Sequence, residues 1–407
     1  MNKRKFSFGP ATLVTAAFIG PGTVTVATKA GASFGFVLLW ALVFSVVATM
    51  ILQEMTARLG VVGRKGLGES IREQFTNPIA KAVAVILVIS AVVVGNAAYE
   101  GGNIAGATLG IDAVFGEWFL AGTLNGWALL IGIIAFVLLW TGSYKLIERF
   151  LIAIVLLMSV SFILTFIITK PDLGQLLSGL FILTLPDGAT LTVIALIGTT
   201  VVPYNLFLHA SSAKKKWHDE RDLPEARRDL MISIPLGGLI TMAIISTAAS
   251  AFFAKQIEIN SAADMALSLE PLFGASAKYL MALGLFSAGI TSAITAPLAS
   301  AYALAGLMKL GNDMRSVKFR AVWISILITG VILASIGFKP ISIIWFAQIA
   351  NGILLPVVAI FLLWTMNQSF LGKYKNSLFQ NLRGGLVVLV TLMLSARSLM
   401  SAFGLLN

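Results

Sequence analysis

The chain has 407 residues, of which 58% are hydrophobic and only 12% charged, and its mean hydropathy is +0.92. A soluble domain carries about 25% charged residues, so this composition excludes a water-soluble globule and reads as an all-α integral membrane protein. The absence of cysteine excludes disulfides, thiolate metal sites and thiol chemistry. Two histidines, His209 and His218, are too few for a histidine-rich metal site.

Residues 1–8 are basic, and the apolar run that follows extends well beyond the h-region of a signal peptide, so no cleavable leader is expected. Eleven apolar segments then follow, over roughly 9–29, 34–57, 80–110, 124–141, 147–169, 189–212, 230–253, 275–307, 319–338, 341–366 and 384–404. Each is long enough to cross about 30 Å of hydrocarbon as a helix. They form one polytopic domain, 1–407, and leave no stretch for a soluble one.

The net charge of +11 is a topology signal. With the N-terminus in the cytoplasm, every basic residue except Lys29, Lys170, Lys255, Lys278, Lys339 and Arg397 falls on the cytoplasmic side. That satisfies the positive-inside rule in each loop in turn. The expected location is the cell membrane, multi-pass, with the C-terminus extracytoplasmic and no nucleic-acid partner. The charged stretch 213–229 reads as a solvated cytoplasmic linker. The stretch 254–274 reads as its extracellular counterpart, ending near Pro271.

A coarse repeat organises the segments. Spans 1–5 (1–169) and spans 6–10 (189–366) each begin with a hydrophobic segment broken by glycine and proline, and 384–404 is an extra helix. Five is odd, so the second half enters from the opposite side. Paired broken helices in inverted halves point to a binding site near the bilayer midplane.

The first break is Ile19-Gly20-Pro21-Gly22-Thr23, with Thr25 just beyond. Pro21 removes a backbone donor and clashes with a preceding carbonyl. The freed backbone groups need polar partners, because each unsatisfied group in lipid costs several kcal/mol. The second break runs from Gly198 to Asn205 and places Thr199, Thr200, Tyr204 and Asn205 around Pro203. Glu100 is an intramembrane acid, a functional hypothesis by default. It is read either as a proton carrier or as a hydrogen-bond anchor to Tyr204, His209 or a broken-helix backbone. His209 is a candidate proton relay or a plain hydrogen-bonding partner. Glu54 lies four residues before Arg58, a spacing that suits a local ion pair. Gln348 and Asn351 lie one turn apart in segment 10 and suit a polar cavity.

Several stretches resemble the Nramp divalent-metal transporters. They are Phe8-Gly9-Pro10, Gly20-Pro21-Gly22-Thr23, Ala30-Gly31-Ala32-Ser33-Phe34-Gly35-Phe36, Leu38-Leu39-Trp40, Ala57-Arg58-Leu59-Gly60 and Pro203-Tyr204-Asn205-Leu206-Phe207-Leu208-His209-Ala210-Ser211. The resemblance implies a LeuT-type fold of two inverted five-helix repeats with helices 1 and 6 broken. It also shows where this chain departs. The family's first break reads Asp-Pro-Gly-Asn, and Gly20 and Thr23 stand at its two ligand positions. The sixth-helix pattern Ala-x-x-Met-Pro-His becomes Thr199, Val202, Pro203 and Tyr204. Glu100 matches the second acid of a third-helix pair whose first is here Ala97. Gln348 and His209 match a glutamine near the family's site and its distal histidine.

The resemblance implies a secondary active transporter that moves a cation by alternating access, with proton linkage as an expectation. It implies a metal ion as cargo, but the missing ligands argue against a tightly bound transition metal. The expected substrate site is Gly20, Thr23, Thr199, Val202, Tyr204 and Gln348. Thr23, Thr199 and Gln348 are the metal contacts if the substrate is a cation, and Glu100 and His209 handle protons. The alternatives are a transporter of a small non-metal polar solute, or a non-transporting membrane sensor with the same fold. No enzymatic activity and no cofactor are expected. The lack of a phosphate-binding Gly-x-x-x-x-Gly-Lys-Ser/Thr motif argues against an ATP-driven pump.

Overall fold

The computed structural model describes residues 9–11, 19–74, 77–141, 145–309, 314–336 and 338–402. The first half of the first predicted segment, over 12–18, and the basic residues Lys3, Arg4 and Lys5 lie outside them. Among the described residues the architecture is almost wholly helical. The exception is a two-stranded antiparallel ribbon, β1 (Phe119–Leu120) with β2 (Leu124–Asn125).

The first described helix, α1 (Pro21–Phe34), starts at the break with Pro21 in its first turn, where a missing N–H costs nothing. It ends at Gly35, whose φ of 59° is a conformation that favours glycine. The helix therefore runs past the predicted end near 29. After it come α2 (Leu39–Val61), α3 (Leu67–Gln74), α4 (Pro78–Phe115), α5 (Gly126–Thr141), α6 (Lys145–Thr169) and α7 (Leu173–Phe181). The second half holds α8 (Thr190–Thr200), α9 (Pro203–Lys216) and α10 (Leu223–Phe252). It continues with the short α11 (Ala262–Ala266) and α12 (Glu270–Phe273), then α13 (Ala277–Met308), α14 (Val317–Ser335), α15 (Pro340–Thr365) and α16 (Leu378–Ala402).

Nine spans among the described residues are long and apolar enough to cross a membrane, α8 and α9 counting together as one. The 16-residue α5 is shorter but uniformly apolar, and α1 is the remaining half of the first segment. Large apolar side chains such as Ile79, Ile133, Ile232, Phe346 and Leu386 stand exposed around the bundle. In water such a surface would be an aggregation hazard; around a membrane bundle it is the face that meets lipid.

The interior is organised by α4, which packs against α13, α14 and α15, while α1 lies on α10 and α8 lies on α15. At 38 residues, α4 is roughly 57 Å long and overruns the hydrocarbon core. Asn96 on α4 donates to the Ser300 hydroxyl of α13.

The stretch 213–229 corrects the reading of a plain solvated linker. The helix α9 continues to Lys216 and α10 begins at Leu223, well before 230. Trp217, Leu223, Ala226 and Leu230 are buried with Ala57 and Val61 in a second small core. Positions 223, 226 and 230 share one helical face, and Glu225, Arg227 and Arg228 lie off it. Asp229 is buried as well. Its carboxylate accepts the Gly9 N–H at 3.1 Å and the Ala11 N–H at 2.8 Å, so it caps the start of the first segment.

The Glu54–Arg58 pair forms as the spacing predicts, at 2.9 Å, and Glu54 also binds Arg227 at 2.7 Å. Arg58 does more than the sequence suggests. It is buried, and it donates to the Tyr374 carbonyl at 3.0 Å, the Asn376 side chain at 2.8 Å and the Gln380 side chain at 3.2 Å. It ties α2 to the turn before α16. Replacing Arg58 with alanine strands these acceptors, and a loss of about 2–4 kcal/mol is expected. A clear fall in the detergent melting temperature of Arg58→Ala checks this; an unchanged one refutes the tie.

Candidate functional site at the two helix breaks

The second break is two residues long. Val201 and Val202 leave the helical region (φ −100°, ψ 74° and φ −78°, ψ 123°), α8 closes with Val201 N–H on the Ile197 carbonyl, and α9 opens at Pro203. The break therefore faces the carbonyl-rich end of one half-helix and the amide-rich start of another. The first break supplies a second amide-rich start at Pro21. Gly20 precedes it in extended backbone, and its carbonyl accepts the Val24 N–H at 3.2 Å.

The two breaks touch. The Thr23 and Thr199 hydroxyl oxygens lie 2.8 Å apart, both fully buried, across 176 positions of sequence. Thr200 instead returns its hydroxyl to the Leu196 carbonyl of its own helix, which leaves Thr199 as the hydroxyl facing α1. The helix α15 packs against both breaks. A β-carbon on Gly22 would lie 2.3 Å from Gln348 Nε2, and one on Gly198 would lie 2.0 Å from the Gln348 carbonyl oxygen and 2.6 Å from the Gly352 nitrogen. Thr23, Thr199 and Gln348 thus form one constellation.

Val202 and Tyr204 lie in a neighbouring apolar cluster with Tyr99, Leu208, Ala296 and Ala299. The Tyr204 ring meets the Tyr99 ring edge-on at 5.4 Å. All six predicted substrate-site residues are buried, but the structure divides them between the hydroxyl–amide constellation and this aromatic wall.

Glu100 is fully buried on α4 against Gly330 of α14, and Asn103 Nδ2 donates to it at 3.3 Å. No hydrogen bond joins it to Tyr204, to His209 or to broken-helix backbone among the described residues, which corrects the anchor reading. Its Oε1 has no hydrogen-bond partner there. His209 lies 2.8 Å from the Thr56 hydroxyl through Nδ1, and that hydroxyl lies 3.0 Å from the Gln53 carbonyl. Thr56 has one hydroxyl hydrogen for two acceptor positions, the Gln53 carbonyl and His209 Nδ1, so the donor in the Thr56–His209 contact is set by the His209 tautomer; Nε2 has no partner among the described residues.

Two side chains outside the predicted site belong with it. Asn351 is fully buried one turn beyond Gln348, and Asn205 is buried in the first turn of α9. Both amide atoms of each lack a hydrogen-bond partner among the described residues, as does Gln348 Oε1. The sequence signal for them was an amide inside an apolar span, here beside a proline or one turn from a site glutamine. One to three turns past the second break, α9 lines a cavity of about 340 Å³ with Phe207, Ser211 and Lys214. Arg64, Lys215 and His218 complete its basic wall, and Glu69 adds one carboxylate, bound to Lys214 at 2.8 Å.

The family model described as natural resistance-associated macrophage protein-like (Nramp) matches residues 11–401. The chain belongs to the Nramp family. This Nramp chain is 29% identical over 413 residues to the divalent metal cation transporter MntH of Yersinia pestis (strain Pestoides F), covering 98% of this chain and 96% of that one. It is 27% identical to MntH of Verminephrobacter eiseniae, over 97% and 89%. Its fold matches a manganese transporter of Eremococcus coleocola with a TM-score of 0.77 at 19% identity, covering 98% and 88%. It also matches the nucleobase-cation-symport transporter Mhp1 with a TM-score of 0.58 at 14% identity, over 99% and 95%. These likenesses bear out the LeuT-type, multi-pass membrane fold. In this Nramp member the breaks carry hydroxyls and amides. Among the described residues, no group of three His, Cys, Asp or Glu side chains is placed to hold a metal ion.

Proposed function

We propose that this Nramp protein is a secondary active transporter that moves a cation by alternating access around the two breaks, and that it holds the cation weakly through neutral oxygens. The observation that carries this reading is the Thr23–Thr199 contact, which joins the breaks through two hydroxyls. A dehydrated transition metal near the bilayer midplane needs an anionic oxygen or a soft ligand. Thr23, Thr199, Gln348 and the break carbonyls offer neither, and a cation that keeps part of its hydration shell asks less of them. Gly20, Val202 and Tyr204 shape the site by backbone and packing. His209 and Glu100 are the proton-accepting groups of the reading. The two halves, 1–169 and 189–366, act as inverted repeats with 384–404 as an added helix, the N-terminus is cytoplasmic, and transport proceeds without enzymatic chemistry.

A second reading has its own support. The partnerless amides of Asn205 and Asn351, with the partnerless Oε1 of Gln348, are neutral donors and acceptors, and the cavity beyond the second break is basic. A basic vestibule repels a free divalent cation, so a small neutral or anionic solute exits there more easily.

Calorimetry and uptake separate the two. For the cation reading, titration with micromolar Mn²⁺ yields no binding heat, whereas proteoliposomes accumulate Mg²⁺ or a monovalent cation and respond to a pH gradient. Micromolar Mn²⁺ heat would refute weak neutral ligation. Uptake of small polar solutes with no cation flux transfers the assignment to the second reading.

A further inference from the structure

On the membrane face where the basic residues gather, a cleft of about 400 Å³ opens between the ends of α2, α10 and α16. Its lining shares no residue with the site at the two breaks. Its wall combines apolar side chains, including Met50, Met55 and Met231, with Glu54, Arg227 and Arg383. The charges do not balance. Glu54 is the only carboxylate among the described lining residues, and it is shared between Arg58 at 2.9 Å and Arg227 at 2.7 Å. Arg383 stacks its guanidinium 4.3 Å over the Phe379 ring and forms no ion pair among the described residues. Two guanidiniums, Arg227 and Arg383, therefore line the cleft against one carboxylate that is already shared with the buried Arg58. The cleft also continues onto the lipid-facing surface, since Met231, Leu382 and Leu386 beside it are 66%, 62% and 57% exposed.

An occupant must satisfy both halves of this wall. A soluble anion meets the guanidiniums and leaves the methionines bare. An uncharged lipid covers the methionines and leaves the guanidiniums unneutralised. We propose that the cleft is a site for an anionic phospholipid of the leaflet on the basic face, with its phosphate between Arg227 and Arg383 and the start of an acyl chain along Met50, Met55 and Met231. Arginine suits this task because its planar fork binds phosphate oxygens in pairs. The lipid bridges α10 to α16 beside the link that Arg58 makes between α2 and the turn before α16.

The test uses the purified full-length protein in an uncharged detergent, with bound lipid counted by native mass spectrometry. Dioctanoyl phosphatidylglycerol is expected to saturate one site, and dioctanoyl phosphatidylcholine is expected to bind far less. Arg383→Ala should weaken the phosphatidylglycerol complex by about fivefold, the effect of one basic contact with an anionic headgroup. Arg227→Ala should do the same, but it also removes a partner of Glu54, so Arg383→Ala is the deciding variant. Equal binding of the two lipids overturns the proposal, and so does unchanged affinity in Arg383→Ala. Displacement of the phosphatidylglycerol by glycerol phosphate at equal concentration assigns the cleft to a soluble phosphate ester and overturns the lipid.

Discussion

Gly198→Ala is expected to abolish uptake and to lower stability by about 3 kcal/mol or more. The added β-carbon would lie 2.0 Å from the Gln348 carbonyl oxygen and 2.6 Å from the Gly352 nitrogen. Both are backbone atoms of α15, so no rotamer change relieves the contact. Overpacking in a filled core costs about 1–3 kcal/mol when side chains can adjust, and here a helix must move. It must move at the point where α8 ends and the second break begins, which shifts Thr199 from Thr23 as well. The paired variant Gly22→Ala separates the site from the scaffold. Its β-carbon would meet Gln348 Nε2 at 2.3 Å, the far end of a flexible side chain. Gly22→Ala should therefore fold with a near-normal melting temperature and lose uptake through displacement of Gln348. Detergent melting curves and proteoliposome uptake for both variants test this. A Gly198→Ala protein with normal stability and flux would falsify the tight approach of α15 to the break.

The two breaks were legible in the sequence because proline acts locally. Pro21 and Pro203 each remove a donor and fix φ, and both sit at the first turn of a half-helix. The Glu54–Arg58 pair was legible for the same reason, since its four-residue spacing is internal to one helix. Contacts that depend on distant chain were not legible. Asp229 is 220 residues from Gly9, and nothing near either position announces that one caps the other. The start of α10 was hidden because its buried positions, Leu223, Ala226 and Leu230, are thinly spread among a proline, arginines and acids. The candidate site was half legible. Residue types placed Thr23, Thr199 and Gln348 in polar surroundings, but only the packing of α15 brings Gln348 against Gly22, and only the packing of α9 on α4 sets Tyr204 against Tyr99.

Restoring the missing ligands should convert the site to a transition-metal site, and this is the largest gain expected of any variant. The family pattern places an aspartate and an asparagine where Gly20 and Thr23 stand, and a methionine where Val202 stands. Gly20 has φ −100° and ψ −175°, a region open to any residue, so an aspartate there carries no backbone strain. Asparagine at 23 replaces the hydroxyl now bonded to Thr199 with a longer carbonyl, and methionine at 202 supplies the thioether. Loss of a supporting contact around a metal already costs about 10–100-fold in affinity, so adding first-contact ligands should raise Mn²⁺ affinity by at least roughly a hundredfold. In titration calorimetry the combined Gly20→Asp, Thr23→Asn and Val202→Met protein should release micromolar Mn²⁺ heat where the parent releases none. Anionic charge at 20 should be the dominant part, so Gly20→Asp alone should account for most of the gain and Val202→Met alone for the preference of Mn²⁺ over Mg²⁺. A folded triple variant that stays silent toward Mn²⁺ would mean that substitution at these three positions is not what weakens metal binding. The cause would then lie in the closed Thr23–Thr199 contact or the basic cavity beyond it.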